Sequence, residues 1–179
     1  MLSRIFIIKL HEVMYMELRK WSLDDKRELT ELCNAVDRTY LSDRLPHPYT
    51  EEDADEWLEM ALEAEGTQGT FRAVTVDGRV VGSVSVERKP DIYRLDGELG
   101  YMLLKEFGNR GLMTQAVRQV CEIALKELGL NRITANVFRP NMASQRILLK
   151  NGFTQEGIMR KAAVKDDCVY DVLIFGLLR

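Results

Sequence analysis

A strand, a glycine-containing turn, a helix and a second strand follow one another between residues 97 and 138, and this unit constrains the fold most. "GELGYMLL" (97–104) and "NRITANVF" (131–138) have the composition of strands. Between them, apolar residues recur at helical spacing from Leu112 to Leu128, just before Gly129. Because a strand–helix–strand unit forms a right-handed crossover, we predict one parallel pair of neighbouring strands with a helix packed against the sheet.

The segments around this unit indicate antiparallel strands. "FRAVTV" (71–76) and "RVVGSVSV" (79–86) are rich in β-branched residues and are joined by Asp77-Gly78, a strong signal for a two-residue hairpin. We expect further strands at about 17–23, 155–161 and 169–178, and helices at about 22–40, 50–66 and from Asn141 to Gly152. The prediction is a mixed α/β fold, with a mostly antiparallel twisted sheet of about six or seven strands and about four helices.

Composition excludes several classes of protein. The 179 residues suit one domain, and a net charge of −3 does not indicate a basic face for nucleic acid. We expect no membrane span, because no apolar segment reaches 18 residues. Cys33, Cys121 and Cys168 are widely spaced and two histidines are too few for a zinc site, which favours reduced thiols in a cytoplasmic protein. We interpret residues 1–15 as a non-native or disordered leader and residues 16–179 as the domain.

The turn "FGNRGLMTQA" (107–116) has the features of a phosphate-binding loop. We expect Gly108 and Gly111 to supply positive φ and close approach, and Asn109 tolerates the same left-handed geometry. The helix that follows presents unpaired N–H groups and the positive end of its dipole. A nucleoside triphosphate site would need a lysine where Leu112 stands. A metal-free phosphate compound is the better hypothesis, and an ordinary strand-to-helix turn is the alternative.

Four segments, in order, resemble the GNAT superfamily of N-acyltransferases, particularly the RimJ/RimL-type ribosomal-protein acetyltransferases. They are "ELGYML", "FGNRGLMTQA", "LGLNRITANVFRPNMASQRILLKNGF" and "EGIMRKA", and the resemblance covers about residues 16–179. Gly111 matches the central glycine of the family's Q/R-x-x-G-x-G/A loop, whereas Gly108 and Met113 depart from it. The resemblance implies the GNAT fold, with its parallel strand pair at the acyl-CoA site, and acetyl-CoA as co-substrate without a metal.

The resemblance also implies a coenzyme site. The pyrophosphate of coenzyme A would lie on the backbone of residues 108–113, and its pantetheine arm would pair like a strand with residues 102–104. The implied coenzyme-binding residues are Met102, Leu103, Leu104, Gly108, Asn109, Arg110, Gly111, Leu112, Met113, Thr114, Asn141 and Ser144.

Acyl transfer from a thioester requires a deprotonated amine and stabilisation of the departing thiolate. Glu98 shares a strand face with Gly100 and Met102 by period two, and we expect it to take the amine's proton. The resemblance gives Ser144 a role at the leaving sulfur. A solvent-facing Glu98, and an Asn141 and Ser144 that only cap a helix, are the alternatives.

The predicted function is direct acetyl transfer to a primary amine, either a protein N-terminus or a small molecule. A non-catalytic acyl-CoA sensor with the same fold is the alternative from a different class. We expect a monomer or homodimer without nucleic-acid or membrane partners. Tyr101, Phe138 and Phe153 are interpreted as core aromatics, and the roles of His47, Tyr170 and Asp171 are left open.

Overall fold

The structure is a computed structural model that describes residues 4–9 and 12–179, and its centre is one twisted sheet. The described residues form eight strands in the order β1-β2-β3-β4-β5-β6-β8-β7. Their bounds are β1 Arg4–Lys9, β2 Glu12–Arg19, β3 Gly69–Val76, β4 Arg79–Arg88, β5 Asp96–Leu103, β6 Arg132–Phe138, β7 Thr154–Lys165 and β8 Cys168–Leu178. The mixed α/β fold is confirmed, and β1 lies within residues 1–15, whose assignment as a leader stays a prediction.

Four helices lie in the described chain, as predicted: α1 Lys26–Ala35, α2 Glu51–Ala64, α3 Leu112–Glu127 and α4 Met142–Lys150. Thr50 and Asp53 form a capping box at the start of α2. The predicted end of the first helix near Tyr40 is wrong, because Val36 is extended, with ψ of 149°, and the chain then forms a loop. The first predicted strand was also displaced, since β2 ends at Arg19.

Every strand pair is antiparallel except β5–β6, which α3 connects as the predicted crossover. Asp77 and Gly78 both have positive φ, 50° and 85°, and form the expected hairpin turn. Helices cover both sheet faces. Trp57 of α2 packs edge-to-face on Phe71, and strand pairing places Phe71 on the same face as Gly100 of β5. The next residue of β5, Tyr101, points to the opposite face, where α3 and α4 pack.

The helix α3 is anchored by apolar burial along one side. Its buried residues are Leu112, Met113, Ala116, Val117, Val120, Cys121 and Ala124. Full burial of a large aliphatic side chain contributes about 1.5–3 kcal/mol. Because Leu112 and Met113 are part of this buried side, the N-terminus of α3 is held at a fixed place beside β5.

The parallel pair of β5 and β6 is short, and the candidate site lies where this pairing ends. β5 and β6 pair only from Asp96↔Arg132 to Glu98↔Thr134, although both strands continue. The hydroxyl of Thr134 donates to the Asp96 carboxylate at 2.9 Å and accepts from Arg132 Nε at 3.0 Å. These hydrogen bonds stabilise the first residue pairs of β5 and β6. Beyond Glu98 the two strands separate, and the sheet opens as a wedge.

Candidate active site

The wedge between β5 and β6 leads into a cleft of about 1250 Å³. Small-molecule pockets usually measure about 300–1,000 Å³, so this cleft has room for a large ligand together with a second molecule. Every predicted site residue lines it: Glu98, Met102, Leu103, Leu104, Gly108, Asn109, Arg110, Gly111, Leu112, Met113, Thr114, Asn141 and Ser144. The structure therefore brings together segments that lie up to 46 positions apart in the chain.

The edge of β5 that faces the wedge carries unpaired main-chain groups. The N–H of Leu104 donates to the Val81 carbonyl at 2.9 Å, on the β4 side. Main-chain groups alternate in direction along a strand. Tyr101 and Leu103 therefore direct their N–H and C=O groups into the wedge, beyond the last β5–β6 pair. A row of such groups is a template for a ligand that pairs like an additional strand.

The turn after β5 combines left-handed and extended residues. Asn109 and Gly111 have φ of 58° and 79°, as their residue types predict. Positive φ at Gly108 was a wrong prediction, because its φ is −64° and its ψ is 163°. A Cβ at Gly108 would lie 3.1 Å from the carbonyl oxygen of Lys105, a closer contact than most Cβ atoms make. The Gly108 N–H donates to the same oxygen at 3.0 Å, and this hydrogen bond closes the short 3-10 turn before α3.

The N-terminus of α3 lies at the cleft and has no side-chain cap. Gly111 is its N-cap residue, and no atom lies within 4 Å of the position of a Cβ on Gly111. The first-turn N–H groups and the helix dipole favour a phosphate there. Arg110 is already engaged: its guanidinium donates to Met14 Sδ and to the Glu106 carbonyl, each at 3.0 Å, and lies over Phe107.

Glu98 is exposed on the β5 face that α1 and α2 cover, next to the opening of the wedge. Asn136 of β6 donates from Nδ2 to Glu98 Oε1 at 3.3 Å. Across β4–β5, Glu98 is paired with Glu87, which lies outside the cleft and accepts from the Ser85 hydroxyl. Sequence reasoning did not select Asn136, although a polar residue in the middle of an apolar strand was the available signal.

Ser144 lies in the first turn of α4 and contacts two residues. Its N–H donates to Asn141 Oδ1 at 3.1 Å, so the capping role of Asn141 is confirmed. Its Oγ lies 2.7 Å from the hydroxyl of Tyr101. Burial raises the pKa of Tyr101 to about 12, although the hydrogen bond with Ser144 opposes this shift. Tyr101 packs against the core as predicted, but its hydroxyl reaches the cleft, which the sequence prediction missed.

The two chemical groups of the cleft lie on opposite faces of β5. Glu98 and Tyr101 are three positions apart, so their side chains point to opposite sides of the strand. The carboxylate therefore approaches the wedge from the side of α1 and α2, and the Tyr101–Ser144 hydroxyls approach from the side of α3 and α4. A reacting group in the wedge can meet both.

Aromatic residues border the Glu98 side of the cleft. Tyr40 lies 5.8 Å from Phe138, ring centre to ring centre, and Phe138 lies 5.4 Å from Tyr170 in an edge-to-face contact. Phe138 was predicted as a core residue, but it is half-buried and lines the cleft. The Lys165 ammonium forms an ion pair with Asp43 across the same side. This pair joins the loop after α1 to the end of β7.

The three residues left open by the sequence lie outside the cleft lining. Tyr170 packs edge-to-face on Phe138, which lines the cleft. Asp171 accepts from the Lys161 N–H at 3.0 Å and from Arg139 at 3.0 Å, and these bonds lower the pKa of its carboxyl. His47 precedes Pro48 in the loop between α1 and α2.

Residues 4–9 and 12–179 contain no group of three or more His, Cys, Asp or Glu side chains arranged to hold a metal ion. Within the same part of the chain, no helix has both the length and the apolar character needed to cross a membrane.

Known proteins share this architecture. "Probable N-acetyltransferase YjcK" of Bacillus subtilis is 42% identical over 85 residues, which are 48% of this chain and 47% of that protein. The match thus spans about half the length of that relative.

Two solved structures share the fold over nearly the whole chain. RimL, a ribosomal L7/L12 alpha-N-protein acetyltransferase in complex with coenzyme A, has a TM-score of 0.80 at 19% identity, over 97% of this chain and 98% of that one. Mycobacterium smegmatis RimJ, in complex with CoA-disulfide, has a TM-score of 0.75 at 16% identity, over 99% and 86%. The family model described as "Acetyltransferase (GNAT) domain" matches residues 16–154, and the chain therefore belongs to the GNAT acetyltransferase family.

Proposed function

We propose that this protein transfers an acetyl group from acetyl-CoA directly to a primary amine bound in the same cleft. One observation carries the proposal: the unpaired edge of β5 leads to the open N-terminus of α3, and Glu98 and Ser144 flank that path from opposite sides. The cleft therefore has a place for a long thioester and separate groups for each half of an acyl transfer.

The residues present fit coenzyme A. The amide groups of its pantetheine arm match the free N–H and C=O groups of Tyr101 and Leu103. Its pyrophosphate matches the first turn of α3, where Gly111 leaves the approach open. Asn109 completes the turn in a left-handed conformation that few other residue types accept. These features support the predicted coenzyme set around residues 102–114.

The chemistry follows from the two flanking groups. The amine nitrogen attacks the thioester carbonyl carbon, the C–N bond forms, and the C–S bond breaks with its electron pair going to sulfur. Glu98 takes the proton that the amine must lose, with Asn136 holding one carboxylate oxygen. The Ser144 hydroxyl donates a hydrogen bond to the departing sulfur, at the positive end of the short helix α4. No step in this scheme requires a metal.

The acceptor is a primary amine, either the N-terminus of a protein or a small molecule. The solved structure of RimL is that of an enzyme named for a ribosomal-protein substrate, which favours testing an N-terminal peptide. The aromatic contacts of Phe138 with Tyr40 and Tyr170 form a wall on the side where the acceptor would enter. The monomer or homodimer state and the cytoplasmic location stay predictions.

Thiol release tests the proposal. The purified protein is incubated with acetyl-CoA and a panel of amines that contains an alanine-terminated peptide, a polyamine, an arylalkylamine and free amino acids. We expect steady-state release of coenzyme A with at least one amine, and an acetylated product by mass spectrometry. Acetyl-CoA binding without thiol release on any acceptor would favour the sensor function. Absence of acetyl-CoA binding would overturn the assignment of the cleft.

A further inference from the structure

We infer that Tyr101 is a positioning residue for the leaving group: its hydroxyl directs the single proton of Ser144 toward the departing sulfur. This inference rests on the proposed acetyl transfer, because it concerns the thiolate that the transfer produces. Packing against the hydrophobic core explains the aromatic ring of Tyr101 but not its hydroxyl group.

The tyrosine hydroxyl has two oxygen atoms of Ser144 nearby, and the hydroxyl pair can bond in either direction. Tyr101 Oη lies 2.7 Å from Ser144 Oγ and 3.4 Å from the carbonyl oxygen of the same serine. Both nearby partners of the tyrosine hydroxyl can accept, and one of them, the carbonyl, can only accept. Because the contact with Ser144 Oγ is the shorter of the two, we assign the tyrosine proton to Ser144 Oγ. A serine hydroxyl that accepts from tyrosine keeps its own proton for a third group, and Ser144 lines the cleft.

This polarity holds across the working pH range. Burial raises the pKa of Tyr101 to about 12, so its proton stays in place at neutral and moderately alkaline pH. The Tyr101 hydroxyl therefore stays available as a hydrogen-bond donor and is not a source of protons. A hydroxyl that accepts one hydrogen bond becomes a better donor in the next, because bonds in a chain polarise one another.

The position of Tyr101 on β5 places this hydroxyl chain beside the reacting bond. Its main-chain groups face the wedge that the thioester arm would occupy, and its side chain extends toward α4 on the face opposite Glu98. When the C–S bond breaks, the negative charge on sulfur develops on the side where Ser144 donates. Tyr101 loses no proton in this step, and the released thiolate takes its proton from solvent.

The same hydrogen bond also joins α4 to β5, so the test must separate positioning from simple stabilisation. Tyr101→Phe removes the hydroxyl and keeps the ring. The matched control is Tyr49→Phe: the hydroxyl of the buried Tyr49 donates to the Asp53 carbonyl at 3.1 Å, in the first turn of α2 and outside the cleft. Both variants lose one tyrosine hydroxyl bond to the first turn of a helix.

The first measurement is the thiol pKa of coenzyme A in complex with the protein, from thiolate absorbance as a function of pH. We expect a lower thiol pKa in the wild-type and Tyr49→Phe complexes than in free coenzyme A, and a return toward the free value in Tyr101→Phe. Both variants should show a similar decrease in melting temperature. An unchanged thiol pKa in Tyr101→Phe would overturn the inference, even if that variant were less stable.

The second measurement is kinetic. Tyr101→Phe should lower kcat about tenfold with little change in KM for acetyl-CoA, less than the about 10²–10³-fold loss that follows removal of a direct transition-state donor. In a Ser144→Ala background the additional effect of Tyr101→Phe should disappear, because the two act as one unit. Full additivity of the two losses would contradict the inference. If wild type acetylates no amine, the proposed function fails, and the thiol titration still tests the role of Tyr101.

Discussion

Replacing Gly111 with alanine separates the role of this residue in coenzyme binding from its role in the fold. Gly111 and Gly129 flank the helix α3, both have positive φ, 79° and 61°, and neither has an atom within 4 Å of the position of a Cβ. Gly111 lines the cleft and Gly129 does not. The 16-residue helix between them is about 24 Å long at 1.5 Å per residue. Gly129→Ala is thus a matched control for Gly111→Ala.

The cost to stability should be the same in both variants. Placing an L-residue in the left-handed region costs about 1–2 kcal/mol, and no steric clash adds to it at either site. For a chain of this size, 1 kcal/mol corresponds to about 2–4 °C in melting temperature, so each variant should lose about 2–8 °C. Thermal unfolding followed by circular dichroism measures this loss.

The affinity for acetyl-CoA should differ between the two alanine variants. A methyl group on Gly111 occupies the space through which the pyrophosphate approaches the N–H groups of α3, so we expect the Kd for acetyl-CoA to rise at least about tenfold, or 1.4 kcal/mol. Gly111→Val should weaken binding further, whereas Gly129→Ala should leave the Kd within about twofold of wild type. Isothermal titration calorimetry gives all three values. A normal Kd in Gly111→Ala would refute the placement of the pyrophosphate, and equal losses in both alanine variants would attribute the effect to the helix.

Three further predictions concern charged groups and their partners. Glu98→Gln should lower kcat by about 10²–10⁴-fold and leave the affinity for acetyl-CoA unchanged. The control Glu87→Gln removes the neighbouring carboxylate outside the cleft and should retain activity. An unchanged kcat in Glu98→Gln would exclude Glu98 as the base. Asn136→Ala should lower kcat about two- to fivefold, because Glu98 loses the amide that holds one oxygen, and the effect should be absent in the Glu98→Gln background. Burial acts to raise the pKa of Asp25, but bonds from Arg19 at 2.7 and 2.8 Å outweigh it and lower that pKa. A lowered pKa gives stability that is present above the unfolded value of about 3.9 and is lost as pH falls, so Asp25→Asn should be less stable than wild type at pH 7 in urea unfolding, with the difference shrinking in acid.

Local signals accounted for most of the fold. The hairpin at Asp77-Gly78, the left-handed Gly129 and Gly152 after α3 and α4, and the Asn141 cap each depend on residues within a few positions of one another. Such preferences are properties of short segments, so the sequence alone predicts them. The crossover between parallel strands then follows from the order of the elements.

The errors arose where hydrogen bonding and strand register, and not residue type, decide the outcome. Gly108 was expected at positive φ from its residue type, but its N–H donates to the Lys105 carbonyl and its backbone is extended, while the neighbouring Asn109 has positive φ. The direction of the backbone at residues 102–104 depends on the register with β4, which leaves only Leu103 of that segment facing the wedge. The bond between Tyr101 and Ser144 joins residues 43 positions apart, and no local pattern encodes it.

The length of the parallel pair explains why one strand can serve every part of the proposed reaction. Pairing between β5 and β6 ends at Glu98, so the remaining part of β5 has two side-chain faces and one free edge. The edge is left for the thioester, one face carries the carboxylate for the amine, and the other carries Tyr101 beside Ser144 for the sulfur. Because side chains alternate with period two, a slip of one residue in the β4–β5 register would exchange these faces and move both groups away from their partners. Activity in this fold therefore depends on strand register as directly as on the identity of any single residue in the cleft.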